Sequence, residues 1–254
     1  MTGLSDLADR LRGLHHAAEP LVLPNAWDAA TARGVVEAGF PVVATTSSGV
    51  SAALGYTDGE GTPPDEMFAA IGRISRAVEG TPVTADIESG YGLEPEAIVE
   101  RLLAARAVGC NLEDTDHSSH GLVPAEFHAD RVRAVKRAAQ DQGVPVVINA
   151  RVDVFLRGNP DQAVDEAIRR GRLYLEAGAD CVFPIGVHDE AAIVALVKGI
   201  PGPVNVIPGF RGAPPLARLR EIGVRRISYA GRLHRAMTTD HQQRLARIKK
   251  WQEI

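Results

Sequence analysis

Apolar and polar positions along this chain fall into a repeating rhythm, in which a short apolar run is followed by a longer segment whose apolar residues recur at helical spacing. The runs LVLP (21–24), PVVATT (41–46), PVTADIE (82–88), CNLED (110–114), PVVINAR (145–151), DCVFPI (180–185), PVNVIP (203–208) and RRISYA (225–230) predict eight strands. Helices are predicted from near Asp28, then over 64–78 after a loop, and over 95–108, 124–142, 160–177, 190–197 and 214–222. A first helix is predicted within 1–19, where Leu4, Leu7, Leu11 and Leu14 mark one face and Pro20 the break. A last helix is predicted within 232–254. Gly39, Gly109, Gly178 and Gly223 each suit the left-handed position that closes a helix before the next strand. Eight strand–helix units without a break in composition predict one domain over 1–254, a (β/α)8 TIM barrel, with an open doubly wound sheet as the alternative.

Composition narrows the class. With 45% hydrophobic residues in 254 the chain can bury a core, and its formal net charge of −4 argues against a nucleic-acid groove or an anionic membrane as partner. No window approaches a membrane span, and the N-terminal stretch has no apolar leader core. Cys110 and Cys181 are the only cysteines and sit among apolar residues, which predicts buried thiols in a cytoplasmic protein rather than a disulfide framework.

In a barrel the chemistry belongs at the carboxyl ends of the strands. Polar residues gather there: Asn25, Thr45 to Ser48, Asp86 and Glu88, Glu113 and Asp114, and Asn149, Arg151 and Asp153. Asp86 and Glu88 stand two apart, so strand alternation aims both into the mouth; Glu113 ends the next strand, and Asp58 lies in a loop long enough to fold over it. Carboxylates converging in a low-dielectric mouth repel unless a cation neutralises them, and hard oxygen donors select Mg2+ (or Mn2+). The competing reading pairs Glu88 and Glu113 with Arg or Lys on neighbouring strands. Gly90-Tyr91-Gly92 predicts a tight loop after the acids.

Five blocks carry a family resemblance: PNAWDAATA from Pro24, TTSSGVSAALGYTD ending at Asp58, TADIESGYG from Thr84, GCNLEDTD from Gly109 and INARVDVFL from Ile148. In order and spacing, over roughly residues 20 to 230, they resemble the isocitrate lyase and phosphoenolpyruvate mutase superfamily, on its phosphonomutase-like side. The resemblance implies a barrel that assembles as a dimer or tetramer with an exchanged last helix. It also implies use of Mg2+ on a small 2-oxo acid to break a C–C or P–C bond through an enolate. It further implies Asp86 as the direct metal ligand, with Asp58, Glu88 and Glu113 acting through water. Arg151 and the backbone N–H groups of Ser48, Gly49 and Val50 would bind the substrate's carboxylate and oxo group. A guanidinium fork and a Ser-Ser-Gly turn suit such anions on physical grounds as well; the competing readings are an Arg151 ion pair with Asp153 or a barrel acid, and ordinary helix capping by Ser47 and Ser48.

The chain departs from the family after Glu113. The lyases carry a Lys-Cys-Gly lid whose Cys handles the proton, and the mutases carry Lys and Asn; here the stretch reads TDHSSHGLVPAEFHADR, without Lys or Cys. His117, Ser119 or His120 would have to supply the proton, and a loop His titrates near ~6.5. The segment from Thr115 to about His128 is expected to move as a lid. The best reading is therefore a Mg2+-dependent lyase-like enzyme that cleaves a C–C bond of a small 2-oxo acid or related carboxylate, with catalytic roles for His117 or His120 and Arg151. A P–C phosphonomutase or phosphonopyruvate hydrolase and a non-catalytic metal-binding and ligand-binding barrel are the alternatives. A Schiff-base aldolase is disfavoured because no Lys stands at a strand end.

Overall fold

The structure, a computed structural model, describes residues 3–253, so the ends of the expected 1–254 domain, residues 1, 2 and 254, lie outside the described residues. All eight expected strands form, and they are parallel. One run of neighbours joins Asn25–Ala26, Val43–Thr45, Val83–Asp86, Gly109–Glu113, Val147–Val152 and Cys181–Pro184; a second joins Leu21–Leu23, Arg226–Ser228 and Asn205–Val206. The first barrel strand belongs to both runs, since Leu21–Leu23 pairs with Arg226–Ser228 while Asn25–Ala26 pairs with the strand Val43–Thr45. A bridge between Val182 and Val204 joins the remaining ends, so the ring closes as a (β/α)8 barrel and the open sheet is excluded.

Alternation along the strands decides which side chains face the helices. One continuous buried cluster joins Val43, Val83, Ala85 and Ile148 of the strands to Ile71, Ile98, Leu102 and Leu196 of the helices. The first helix, Leu4–Leu14, buries Leu7, Ala8 and Leu11 in a second cluster with Leu21, Val42, Val108 and Val147, and so stoppers the amino-terminal end of the barrel. Each buried leucine contributes on the order of 1.5–3 kcal/mol. No described helix is long and apolar enough to cross a membrane.

Gly39, Gly178 and Gly223 take the expected left-handed conformation, but Gly109 does not. It opens the strand Gly109–Glu113, where an added Cβ would stand 2.7 Å from Leu11 Cδ2. The preceding helix, Pro95–Ala104, stops early and Arg106 takes the left-handed turn at φ 59. Close packing against the stopper helix, not backbone conformation, is what requires glycine there.

Three further segments differ from expectation. The loop after the second strand contains a helix, Ser47–Leu54. The expected helix over 160–177 is a short helix, Val154–Arg157, a 3-10 turn, Pro160–Gln162, and the helix Ala163–Glu176. The expected lid is a small antiparallel hairpin of Thr115–Asp116 and Gly121–Leu122, running into the helix Ala125–Asp141, with His128 buried. The last helix, Arg232–Lys249, carries no buried residue. Met237, Leu245, Ile248 and Trp251 stand exposed.

Candidate active site

The strand ends and the start of the helix Ser47–Leu54 surround a cavity of about 240 Å3, with Asn25, Thr46, Ser47, Ser48, Asp58, Asp86, Asn111 and Arg151 among its polar walls. A smaller cavity of about 180 Å3 shares Ser47, Asp58 and Arg151 with it and is completed by Gly59, Glu88, Glu113, His117 and Arg157. All four sequence-derived carboxylates therefore line this double mouth, although they enter it in different ways.

Asp86 closes the strand Val83–Asp86 and is almost fully buried. Its Oδ2 accepts hydrogen bonds from the N–H and hydroxyl of Ser47, both at 3.0 Å, and its Oδ1 accepts one from Asn111 Nδ2 at 3.3 Å. Glu88 arrives by a route that strand alternation did not anticipate. The strand ends at Asp86, and Glu88 itself is left-handed at φ 52, a conformation that costs a non-glycine residue of order 1–3 kcal/mol and is held only by surrounding contacts. Those contacts are the Glu60 N–H, donated to Oε2 at 2.6 Å, and the Tyr91 hydroxyl, donated to Oε1 at 2.9 Å. The loop Gly90-Tyr91-Gly92 is left-handed throughout, and a Cβ on Gly90 would collide with Arg131 Nη2 at 2.7 Å.

Glu113 is buried between two cationic partners. His117 Nε2 lies 2.7 Å from Oε1, and Arg151 Nη1 contacts Oε2. Arg151 also grips Asp153 with Nε and Nη2, each at 2.7 Å. Thus the ion pairs weighed as the competing reading for Arg151 and Glu113 are present. They do not exhaust the guanidinium: of its five N–H donors three are engaged, which leaves two for an anion in the cavity that Arg151 lines. Behind it Asp114 fixes the strand ends, accepting from Tyr174 at 2.7 Å, Arg170 Nη1 at 2.9 Å and the Asp153 N–H at 2.9 Å.

The electrostatics follow from crowding. Burial above all, then the Asp86 charge, pushes the Asp58 carboxyl up; burial, with Asp58 and Asp86 adding, pushes Glu88 up to about 7. Burial likewise raises Glu113, against the pull of Arg151 and His117. The Glu113 carboxylate beside it raises His117 above the ordinary histidine value, against burial, and so favours the protonated imidazole.

Two sequence assignments need correction. Gly49 and Val50 do not line the cavity, whose wall is Thr46, Ser47 and Ser48. In the helix Ser47–Leu54 the Val50 N–H is committed to the Thr46 carbonyl at 3.0 Å, and a Cβ on Gly49 would press on Trp27 and Thr46, so this glycine packs inward. The available donors belong to the first helical turn, which includes the N–H groups of Ser48 and Gly49, so of the three donors expected only that of Val50 is withdrawn. His120 is the second correction. It sits exposed and left-handed in the hairpin turn, with its carbonyl accepting from Arg157, because Asp116 reverses the chain by binding the Ser118 N–H and the hydroxyls of Ser118 and Ser119. Ser119 is held there with it, and only His117 reaches the mouth. Cys110 and Cys181 are buried free thiols that burial pushes up to about 12, as inert packing residues would be. The residues that sequence reasoning missed are Glu60, Tyr91, Asn111, Arg157 and, from the start of the last helix, Arg232 and Arg235.

Among the described residues no three His, Cys, Asp or Glu side chains converge as direct metal ligands. This donor set still fits a hydrated Mg2+, which keeps several waters and is commonly held by one or two carboxylates plus the substrate. Asp86 and Asp58 share the cavity wall, and the crowding that raises Asp58, Glu88 and Glu113 is relieved by a cation.

The comparisons agree with this geometry. A family model described as phosphoenolpyruvate phosphomutase matches residues 11–249. An uncharacterised protein of Mycobacterium tuberculosis strain H37Rv is 36% identical over 218 residues, covering 85% of this chain and 79% of that one. A 2-methylisocitrate lyase of Bacillus subtilis is 29% identical over 208 residues, covering 78% of this chain and 66% of that protein. The crystal structure of 2,3-dimethylmalate lyase, described as a member of the PEP mutase/isocitrate lyase superfamily, superposes with a TM-score of 0.86 at 25% identity, covering 98% of this chain and 88% of that one. A barrel with acids at these strand ends, matched by the family model along nearly its whole length, belongs to the phosphoenolpyruvate phosphomutase family within the isocitrate lyase superfamily.

Proposed function

We propose that this chain is a Mg2+-dependent (or Mn2+-dependent) lyase-like enzyme that cleaves a C–C bond in a small 2-oxo acid or a carboxylate that yields one. The observation that carries the reading is the shared cavity, in which the spare donors of Arg151, the first turn of the helix Ser47–Leu54 and the carboxylates of Asp58 and Asp86 face one small volume. Asp86 would hold the ion directly, with Asp58, Glu88 and Glu113 holding its waters. Bound there, the ion supplies Lewis-acid polarisation of a 2-oxo group. Arg151 clamps the substrate carboxylate with its two remaining N–H donors, and the helix start of Ser47 and Ser48 adds the partial positive charge of its dipole. When the C–C bond breaks, its electron pair stays on one carbon as an enolate, while the other carbon becomes a carbonyl as its hydroxyl gives its proton to a carboxylate of the mouth. His117 delivers to the enolate carbon the proton of its other ring nitrogen, Nδ1, which stands beside Gly59 in the mouth, and the Nε2–H that remains on the neutral imidazole stays paired with Glu113, 2.7 Å away.

Turnover of a panel of 2-oxo acids and 2-alkylmalates with Mg2+ tests the reading. Cleavage of at least one member is expected. Activity confined to phosphonopyruvate would replace it with P–C chemistry, and inactivity on every member would replace it with a non-catalytic binding barrel.

We also propose a homo-oligomer, dimer or tetramer, in the reducing interior of the cell. An 18-residue helix with no buried residue is marginal alone in water, and a neighbouring barrel covering Met237, Leu245, Ile248 and Trp251 would stabilise it. Light scattering is expected to give a mass at least twice the 27.1 kDa of one chain. A monomer would remove the exchanged-helix idea.

A further inference from the structure

An arginine lies inside the barrel below the acids. Arg226, on the strand Arg226–Ser228, is 1% exposed and has no carboxylate among its hydrogen-bond partners. Its Nη1 meets His15 Nε2 at 3.2 Å, its Nη2 donates to Asn111 Oδ1 at 3.2 Å, and its buried Nε has no partner. His15, the residue that caps the stopper helix, is driven down to about 4 by burial first and by Arg226 second, so it is neutral, and it offers Nε2 as an acceptor while Nδ1–H donates to the Leu11 carbonyl at 2.8 Å. A guanidinium shut away from water without an ion pair costs several kcal/mol, and a counter-charge must offset that cost.

The sheet register shows where the counter-charge is. Asp86, Asn111 and Asn149 stand side by side on three adjacent strands. Two donors converge on Asn111 Oδ1, Arg226 Nη2 and, at 2.8 Å, Asn149 Nδ2. The amide oxygen is therefore fixed towards the barrel interior, which leaves Asn111 Nδ2 aimed at Asp86 Oδ1 at 3.3 Å. An amide turned the other way would set its oxygen against the carboxylate.

We infer that Arg226 is a positioning residue for the mouth: it locks the Asn111 amide so that its N–H group, together with Ser47 on the other oxygen, fixes the Asp86 carboxylate. The positive charge of Arg226 acts on Asp86 through the Asn111 amide dipole, while His15 only satisfies the arginine's other terminal nitrogen and lies outside that path. The consequence for metal uptake rests on the role of Asp86 proposed above.

Arg226→Gln, read by crystallography and by titration calorimetry with Mn2+ and oxalate, tests the inference. The Asn111–Asp86 contact is expected to be lost and the affinity to fall about 10- to 100-fold, the usual effect of removing support behind a ligand. His15→Leu cuts the other partner of Arg226 and is expected to lower the melting temperature while leaving the affinity unchanged. If Arg226→Gln does not fold, Asn111→Ala removes the relay with the arginine in place and should show the same loss. An Asp86 that keeps its place and its affinity in Arg226→Gln, or in Asn111→Ala, overturns the positioning role. A wild type that takes up no Mn2+ instead overturns the metal reading, and the position of Asp86 in the variant crystals then decides the inference on its own.

Discussion

Asp86→Ala is expected to weaken Mg2+ binding in the presence of oxalate by more than about 10²-fold, since it removes the one carboxylate proposed to touch the ion. The fold should survive. The side chain reaches the cavity wall rather than the apolar cluster; losing its contacts with Ser47 and Asn111 costs about 1–3 kcal/mol and the loss of the counter-charge to Arg226 adds to that, part being returned by relief of repulsion with Asp58 and Glu88, so a lowered melting temperature is expected. Titration calorimetry beside a thermal melt separates the two effects; a folded variant with wild-type affinity would remove Asp86 from the metal site. The same titration carries a pH signature in the wild type. Glu88 stands at about 7 in the fold against an ordinary 4.5, so folding takes up a proton between those values. Its contribution to stability is present in full below about 4.5 and is lost as pH rises through about 7. A cation prefers the carboxylate, so binding must expel that proton in acid, and affinity should be about tenfold weaker at pH 6 than at pH 8.

His117→Gln is expected to lower turnover by about 10²-fold or more while oxalate affinity changes little, because glutamine can keep a hydrogen bond to Glu113 but carries no transferable proton. His120→Gln should change neither quantity, since that residue is exposed in the hairpin turn. Steady-state kinetics on whichever substrate the panel yields, with oxalate inhibition measured alongside, distinguishes the pair. Full turnover in His117→Gln would exclude the imidazole as proton donor.

Much of this arrangement was readable in the bare chain. The eight strands announced themselves because a strand buried on both faces must be a nearly continuous apolar run, and acids at the ends of such runs have only the mouth to enter. What escaped was decided by conformation rather than composition. Ser-Ser-Gly reads as a turn, yet Thr46 begins a helix there; Val50 and Leu54 four apart and the left-handed Gly55 after them were the available signals. Glu88 defeated the two-residue periodicity because the strand stops at Asp86 and the backbone swings left-handed. Spacing alone could not choose between His117 and His120, since the choice rests on where Asp116 turns the hairpin. Arg226 was invisible as a site residue because its partners, His15 and Asn111, are remote in the chain.

The unequal ladders of the barrel divide labour between its two sides. Gly109–Glu113 pairs with its neighbour over five residues and Asn149–Val152 with the next over four, whereas Asn205–Val206 pairs with Arg226–Ser228 over only two. Glu113 and Arg151 stand on the long ladders, while Ile207, Ser228, Arg232 and Arg235 bring the facing wall of the cavity from shorter ones. Fewer cross-strand bonds mean a lower free energy of local opening, so amide exchange should be faster along that wall than along Gly109–Glu113 and Val147–Val152. Substitutions at Ile207, Arg232 or Arg235 would therefore reshape this wall without disturbing the acids opposite, which depend on it only through Arg226. One invariant chemistry could in this way acquire new specificities by altering a quarter of the ring.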